Sequence, residues 1–206
     1  LKNIEKEIIL IDDYSTDGSR ELIKKLNKKY IKIFQDKNQG KGAALKKGIS
    51  ASTGDFIIFQ DADLEYNPQD YNKLIGPILK KKSNIVIGSR FVDKQFKILG
   101  KGKTIHPTHW IGNKGLTTLF NLIYRTNLTD IEPCYKIFKT ELLKEIRMKS
   151  DGFEYDIELM CKLTKKGHKI IQLPIDYVPR TFNEGKKINW KDGIIALWIM
   201  IKYKFK

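Results

Sequence analysis

Asp61, Asp63 and Glu65 alternate with single residues just past an apolar run, Phe56-Ile57-Ile58-Phe59. Such a run reads as a strand buried on both faces. Three carboxylates at its carboxyl end form a corner of hard oxygen donors. That donor set suits Mg²⁺ or Mn²⁺ shared with substrate phosphates. Two further groups close other apolar runs: Asp12 and Asp13 end the run from Glu7, and Ser89 and Arg90 follow the run from Asn84. In an open parallel sheet, the carboxyl ends of the strands share one edge, and ligands bind there. An isolated Asp-x-Asp also occurs as a solvated strand end. Three groups on one edge, acids beside a cation, point instead to an enzyme that handles a metal-bound phosphate ester.

The elements that must position these groups alternate. The pattern predicts strands at Glu7–Asp12, Tyr30–Gln35, Asp55–Phe59 and Asn84–Ile87. Helices are predicted between them at Ser19–Lys29, after Gly42, and after Asn67-Pro68, where proline suits a helix start. Alternation of this kind implies a parallel sheet with helices on its faces. Lys94–Thr108 is rich in Gly and Lys without a period and reads as a mobile loop over the sheet edge. Helices follow at His109–Tyr124, Thr140–Ile146 and Tyr155–Lys165. Lys169–Val178 reads as an edge strand because Pro174 interrupts it. Arg180–Lys187 reads as a flexible polar loop, and Trp190–Phe205 as a closing helix. One domain is expected over 1–206, with a nucleotide-side part (1–91), an acceptor-side part (92–189) and the last helix (190–206).

Composition narrows the classes. The 206 residues are 41% hydrophobic and 31% charged, which excludes a disordered chain. Two cysteines make neither a disulfide framework nor a metal-ligand spacing, so a reducing compartment is expected. The formal net charge of +15 favours anionic partners. No basic-aromatic motif accompanies it, so nucleic acid is not expected as a partner. Gly40-Lys41-Gly42-Ala43-Ala44-Leu45 fails the dinucleotide pattern at Leu45, and Gly42 fails the P-loop pattern. A tight turn with close helix packing is the better reading of those glycines. No run is long enough to span a bilayer, and no signal peptide is evident.

Taken together, these residues resemble the family 2 glycosyltransferases of the GT-A fold. Ile11-Asp12-Asp13-Tyr14-Ser15-Thr16-Asp17-Gly18-Ser19 is similar to the family's nucleotide-binding segment. Asn38-Gln39-Gly40-Lys41-Gly42-Ala43-Ala44 is similar to its N-x-G-K-G-x-A turn, and Thr53-Gly54-Asp55 through Asp61-Ala62-Asp63 to its core. Gly88-Ser89-Arg90-Phe91 and the segment Thr129-Asp130 to Phe138 resemble the branch that includes dolichyl- and polyprenyl-phosphate sugar synthases. Gly152-Phe153-Glu154 and the Arg180–Lys186 stretch resemble that branch's acceptor-side helix and flexible loop. The family's opening strand and its Pro-x-aromatic-Asn-Glu turn have no match here, so the first family strand is expected to be missing.

The resemblance implies a Rossmann-like, three-layer α/β/α fold with a mostly parallel central sheet. It further implies inverting, metal-dependent hexosyl transfer from a UDP- or GDP-sugar to a polyprenyl phosphate, with Mg²⁺ or Mn²⁺ as cofactor. Asp12 and Asp13 would hold base and ribose; Asp61, Asp63 and Glu65 would serve the metal. Arg90, Arg180 and Lys186 would contact phosphates, and His109 or Lys114 would meet the lipid phosphate. With a hydroxyl acceptor, Glu154 or Asp156 would be the base; a phosphate dianion needs none. Trp190, Ile194, Ile195, Leu197, Trp198, Ile199, Met200 and Ile201, followed by Lys202, Lys204 and Lys206, suit a helix lying on an anionic membrane surface. The expected location is peripheral, at the cytoplasmic face of a membrane. Other readings are a hydroxyl-acceptor enzyme of the same fold, a nucleotidyltransferase, and a non-catalytic nucleotide- or lipid-binding fragment.

Overall fold

A computed structural model describes residues 4–92, 107–180 and 190–206; the side chains of 107–109 and of Trp190 are not among those described. In chain order the elements are β1 (Ile9–Asp12), α1 (Ser19–Lys25), β2 (Ile31–Phe34), α2 (Lys41–Ala51) and β3 (Phe56–Ile58). A 3₁₀ turn (Pro68–Asp70), α3 (Tyr71–Leu79), β4 (Ile85–Ser89) and α4 (Pro107–Tyr124) follow. The rest is β5 (Lys136–Lys139), α5 (Thr140–Glu145), α6 (Tyr155–Lys165), β6 (Ile170–Pro174) and α7 (Trp190–Phe205).

The α/β fold expected from the alternation is present, with a mostly parallel sheet. β1 and β2 pair in parallel, Ile9 opposite Ile31. The larger sheet has the order β3-β5-β4-β6. β4 and β6 are parallel, and β6 lies at the edge, as Pro174 requires. β5, which the alternation did not reveal, runs antiparallel to both β3 and β4.

That reversal positions the site. β3 and β4 both end at one edge, and an antiparallel β5 begins at that same edge. Ile58 lies opposite Ile137, and Ile87 opposite Lys136. The segment leading into β5, Thr129 to Tyr135, is thereby laid beside Asp61 and Arg90.

β4 is buried along its length. Around it a single core forms from Leu74, Ile85, Val86, Ile87, Phe120, Phe138, Leu159 and Met160. Asn67 opens the 3₁₀ turn, its side chain accepting from the Gln69 N–H at 3.0 Å. α7 turns Ala196, Ile199, Met200 and Tyr203 onto this core and leaves Ile194, Trp198, Ile201 and Phe205 exposed. The Tyr124 hydroxyl donates to the Met200 carbonyl at 2.8 Å, and the Tyr203 hydroxyl to Glu158 at 2.9 Å. α7 is thus docked on its own domain and outward-facing at once. No helix among the described residues is long and apolar enough to cross a membrane.

Candidate active site

The glycine turn before α2 explains how one lysine reaches the sheet edge. Gly40 has φ +94, and a Cβ there would lie 2.5 Å from the Asp151 carbonyl oxygen. A Cβ on Gly42 would lie 2.8 Å from Tyr155 Cβ. Only glycine lets α2 press this closely on the 151–155 turn. The Ala43 N–H then donates to the Asp151 carbonyl at 3.1 Å. Lys41, between the two glycines, points its amine at Asp61 (2.8 Å) and lies 3.8 Å from Asp156.

A cavity of about 380 Å³ opens here. Its walls include Lys41, Asp61, Asp63, Glu65, Arg90 and Arg180 at the sheet edge, Glu154 and Asp156 at the start of α6, and Asn113 and Glu132 beyond. Ile195 and Ala196 of α7 close one side. Two of the three groups expected at a common edge therefore meet in one cavity, and two candidate bases join them.

Asp12 and Asp13 do not line it. Asp12 is buried, accepts from the Ser15 N–H at 3.2 Å and pairs with Arg20 at 2.6 Å. Burial would raise its pKa, but Ser15 and Arg20 outweigh burial and hold it below the usual range. Asp13 accepts from the Gln39 and Gly40 N–H groups, both at 2.7 Å, and from the Gln35 amide at 2.6 Å. Its visible work is to hold the turn that aims Lys41. Lys114 lies outside the cavity wall, its amine 5.0 Å from the Phe91 ring centroid. Lys186 and the His109 side chain are outside the described residues, as are the 93–106 and 181–189 parts of the two expected loops.

The cations in the cavity are already partnered. Arg90 makes a two-point pair with Asp130, Nε at 2.7 Å and Nη2 at 2.8 Å, and its N–H donates to the same carboxylate. Arg180 donates to Asp63 at 2.9 Å and, through its N–H and Nε, to Glu65 at 2.9 and 3.3 Å. Burial, joined by the charges of Glu65 and Asp61, raises the Asp63 pKa. Asp156 sits between two lysines, Lys136 at 3.0 Å and Lys41. Burial would raise its pKa, but Lys136 and Lys41 hold it down, which makes it a weak proton acceptor. Glu132 accepts from the Asn113 amide at 3.0 Å, and burial raises its pKa.

The hard oxygen set of Asp61, Asp63 and Glu65 fits Mg²⁺ or Mn²⁺ in donor type. Among the described residues no three of His, Cys, Asp and Glu are grouped to hold an ion. A divalent ion at this corner would therefore complete its shell with phosphate oxygens and water.

Residues 1–147 match the family described as Glycosyl transferase family 2. The chain belongs to this family. It is a glycosyltransferase, an enzyme that draws its sugar from a nucleotide-sugar donor. An uncharacterised protein of Methanocaldococcus jannaschii, MJ1222, is 30% identical over 99% of this chain and 85% of its own length. Glycosyltransferase AglJ of Haloferax volcanii is 26% identical over 84% of this chain and 54% of its own. Among solved structures, glucosyl-3-phosphoglycerate synthase of Mycobacterium tuberculosis, in complex with Mn²⁺, UDP-glucose and phosphoglyceric acid, superposes with a TM-score of 0.70. It is 17% identical and is matched over 97% of this chain and 69% of its own. At that identity the likeness concerns the fold.

Lys41, Asn113 and Glu132 line the cavity and Lys136 holds Asp156, yet none of the four has a role assigned from sequence, although Lys41, Glu132 and Lys136 stand within the quoted motifs. Lys41 had a signal: a lysine between two tightly packed glycines must project past the contact. Lys136 is wholly buried, which no local pattern announces.

Proposed function

We propose that this glycosyltransferase moves a hexosyl group, with inversion, from a nucleotide-diphosphate sugar to a polyprenyl phosphate at a membrane surface, peripherally on the cytoplasmic face. One observation carries the acceptor assignment. α7 forms a cavity wall with Ile195 and Ala196 while exposing Ile194, Trp198, Ile201 and Phe205 on the adjoining surface. Those four recur at steps of four, three and four residues, one stripe of a helix. Lys202 lies over the Trp198 ring at 4.1 Å, and Lys204 and Lys206 follow. A stripe of this kind, beside lysines, fits an anionic lipid interface. A lipid-borne phosphate would thus reach the cavity along α7.

The acceptor phosphate oxygen attacks the anomeric carbon. The bond from that carbon to the donor diphosphate breaks, and the diphosphate leaves with the electron pair. A phosphate dianion has no proton to lose, so the weak basicity of Asp156 costs nothing. Asp61, Asp63 and Glu65 would hold Mg²⁺ or Mn²⁺, whose chemistry here is to neutralise the leaving diphosphate. Mn²⁺ beside UDP-glucose in the mycobacterial synthase supports that pairing. Arg180, once off its carboxylates, would bond diphosphate oxygens. Arg90 would shape the cavity through Asp130 more than by free charge.

A second reading, a hydroxyl acceptor, is favoured by the acid lining of the cavity, with Glu154 as base. The deciding assay is transfer of label from UDP- and GDP-sugars to polyprenyl phosphate in anionic liposomes. Metal-dependent label in the organic phase, abolished in Asp63→Ala, kept in Glu154→Gln and lowered at least about tenfold in Trp198→Ser, is the expected outcome. Equal loss in Asp63→Ala and Glu154→Gln, with transfer to a soluble saccharide, would move the acceptor to a hydroxyl.

A further inference from the structure

Lys41, not yet given a role, stands where a divalent ion's charge would be needed. Its amine is 2.8 Å from Asp61 Oδ2 and 3.8 Å from Asp156 Oδ2. The second anchor is permanent. Lys136, fully buried, holds the other Asp156 oxygen at 3.0 Å and is itself bonded to the Pro133 carbonyl. The base of the Lys41 side chain is fixed as well, by Gly40 and Gly42 against the 151–155 turn. Only the four-carbon stem is left to move, and it has a carboxylate on either side. Burial would lower the Lys41 pKa, but Asp156 and Asp61 more than offset it and keep the amine charged.

We infer that Lys41 is an exchangeable counter-cation of the acid corner: its ammonium neutralises Asp61 when no divalent ion is present and withdraws to Asp156 when one binds. The inference rests on the metal part of the function proposed above. Withdrawal costs little, since the ammonium keeps a charge partner throughout. It also lets the corner stay folded without metal, with two of its three negative charges offset by Lys41 and Arg180. Uncompensated, the three carboxylates Asp61, Asp63 and Glu65 would repel one another at this spacing. Arg180 stands in the same relation to Asp63 and Glu65, at 2.9 and 3.3 Å. A lysine whose only task was to orient Asp61 would need no second carboxylate within reach.

The two roles predict opposite signs for metal affinity. The test is Mn²⁺ binding to the whole chain without nucleotide, read by the electron paramagnetic signal of the free ion. Lys41→Met keeps length and removes charge. It should tighten binding at least about tenfold, since a unit charge about 4 Å from a divalent ion is worth more than that even at an effective dielectric near 20. Lys41→Arg should stay near wild type. Asp156→Asn should weaken binding, because Lys41 is then left with Asp61 alone. Thermal melts accompany each variant; if Asp156→Asn does not fold, the Met and Arg variants decide. Wild-type binding with unchanged or weaker binding in Lys41→Met overturns the exchange alone. No Mn²⁺ bound by wild type or Lys41→Met, either alone or with added UDP or GDP, overturns the exchange and the metal site with it.

Discussion

Glu158→Gln should cost on the order of 3 kcal/mol at neutral pH and almost nothing near pH 2. Glu158 is fully buried on α6 and joins three parts of the chain. It accepts from the Lys149 and Ser150 N–H groups at 2.9 and 2.7 Å, from the Tyr203 hydroxyl of α7 at 2.9 Å, and from the Lys162 amine. Burial would raise its pKa, but Lys162, Ser150 and Lys149 together hold it down to about 2, from 4.5. A fall of about 2.5 pKa units corresponds to ~3 kcal/mol. The sign follows. A depressed carboxylate stabilises the fold above its unfolded pKa, and that stability is lost as pH falls from about 4.5 towards 2. Glutamine offers one acceptor where four donors converge, and its amide hydrogens face donors. Urea unfolding of wild type and variant at pH 7, 4 and 2.5 gives the difference directly, and other titrating groups cancel in it. A gap that stays constant over that range would refute the electrostatic account and leave only packing.

Two further substitutions test the scaffold around the cavity. Gly42→Ala must push α2 off Tyr155 and Asp151, so it should cost ~1–3 kcal/mol in a denaturation curve and lower activity with it; an unchanged melt would show that the turn yields freely. Arg90→Met strands Asp130, which has no exposed side-chain surface, and should cost ~3–5 kcal/mol by thermal or urea unfolding; lost activity at unchanged stability would restore Arg90 to direct phosphate binding.

The sequence made the strands before the acids legible because long apolar runs with turn residues behind them have few alternatives. β5 was not legible. It is four residues long, carries lysine at both ends, and buries Lys136 completely. A charge reads as solvent-facing until its partner is known, and Asp156 is twenty positions away. The same limit applies to Asp12 and Asp13. Residue type marked them as oxygen donors, but it could not show that within the fold they bond Arg20 and Ser15, and Gln35, Gln39 and Gly40. Glu132 and Asn113 meet only because antiparallel β5 brings its leading segment to the shared edge, a matter of topology and not of local pattern.

The spacing of the family motifs acquires a mechanical reading from these contacts. Asp13 fixes the turn at Gln39 and Gly40; that turn presses on Asp151; and Lys41 is thereby aimed between Asp61 and Asp156. The charges then decide what can enter. Lys41 is bound to Asp61 and Asp156, Arg90 to Asp130, and Arg180 to Asp63 and Glu65. The net charge of +15 is therefore not available as spare positive charge from these three side chains. A donor diphosphate entering such a cavity must bring its own cation or release one of these. The proposed metal dependence and the proposed lysine exchange would be two halves of one electrostatic requirement, set by the acids that end β3 and not by the phosphate alone.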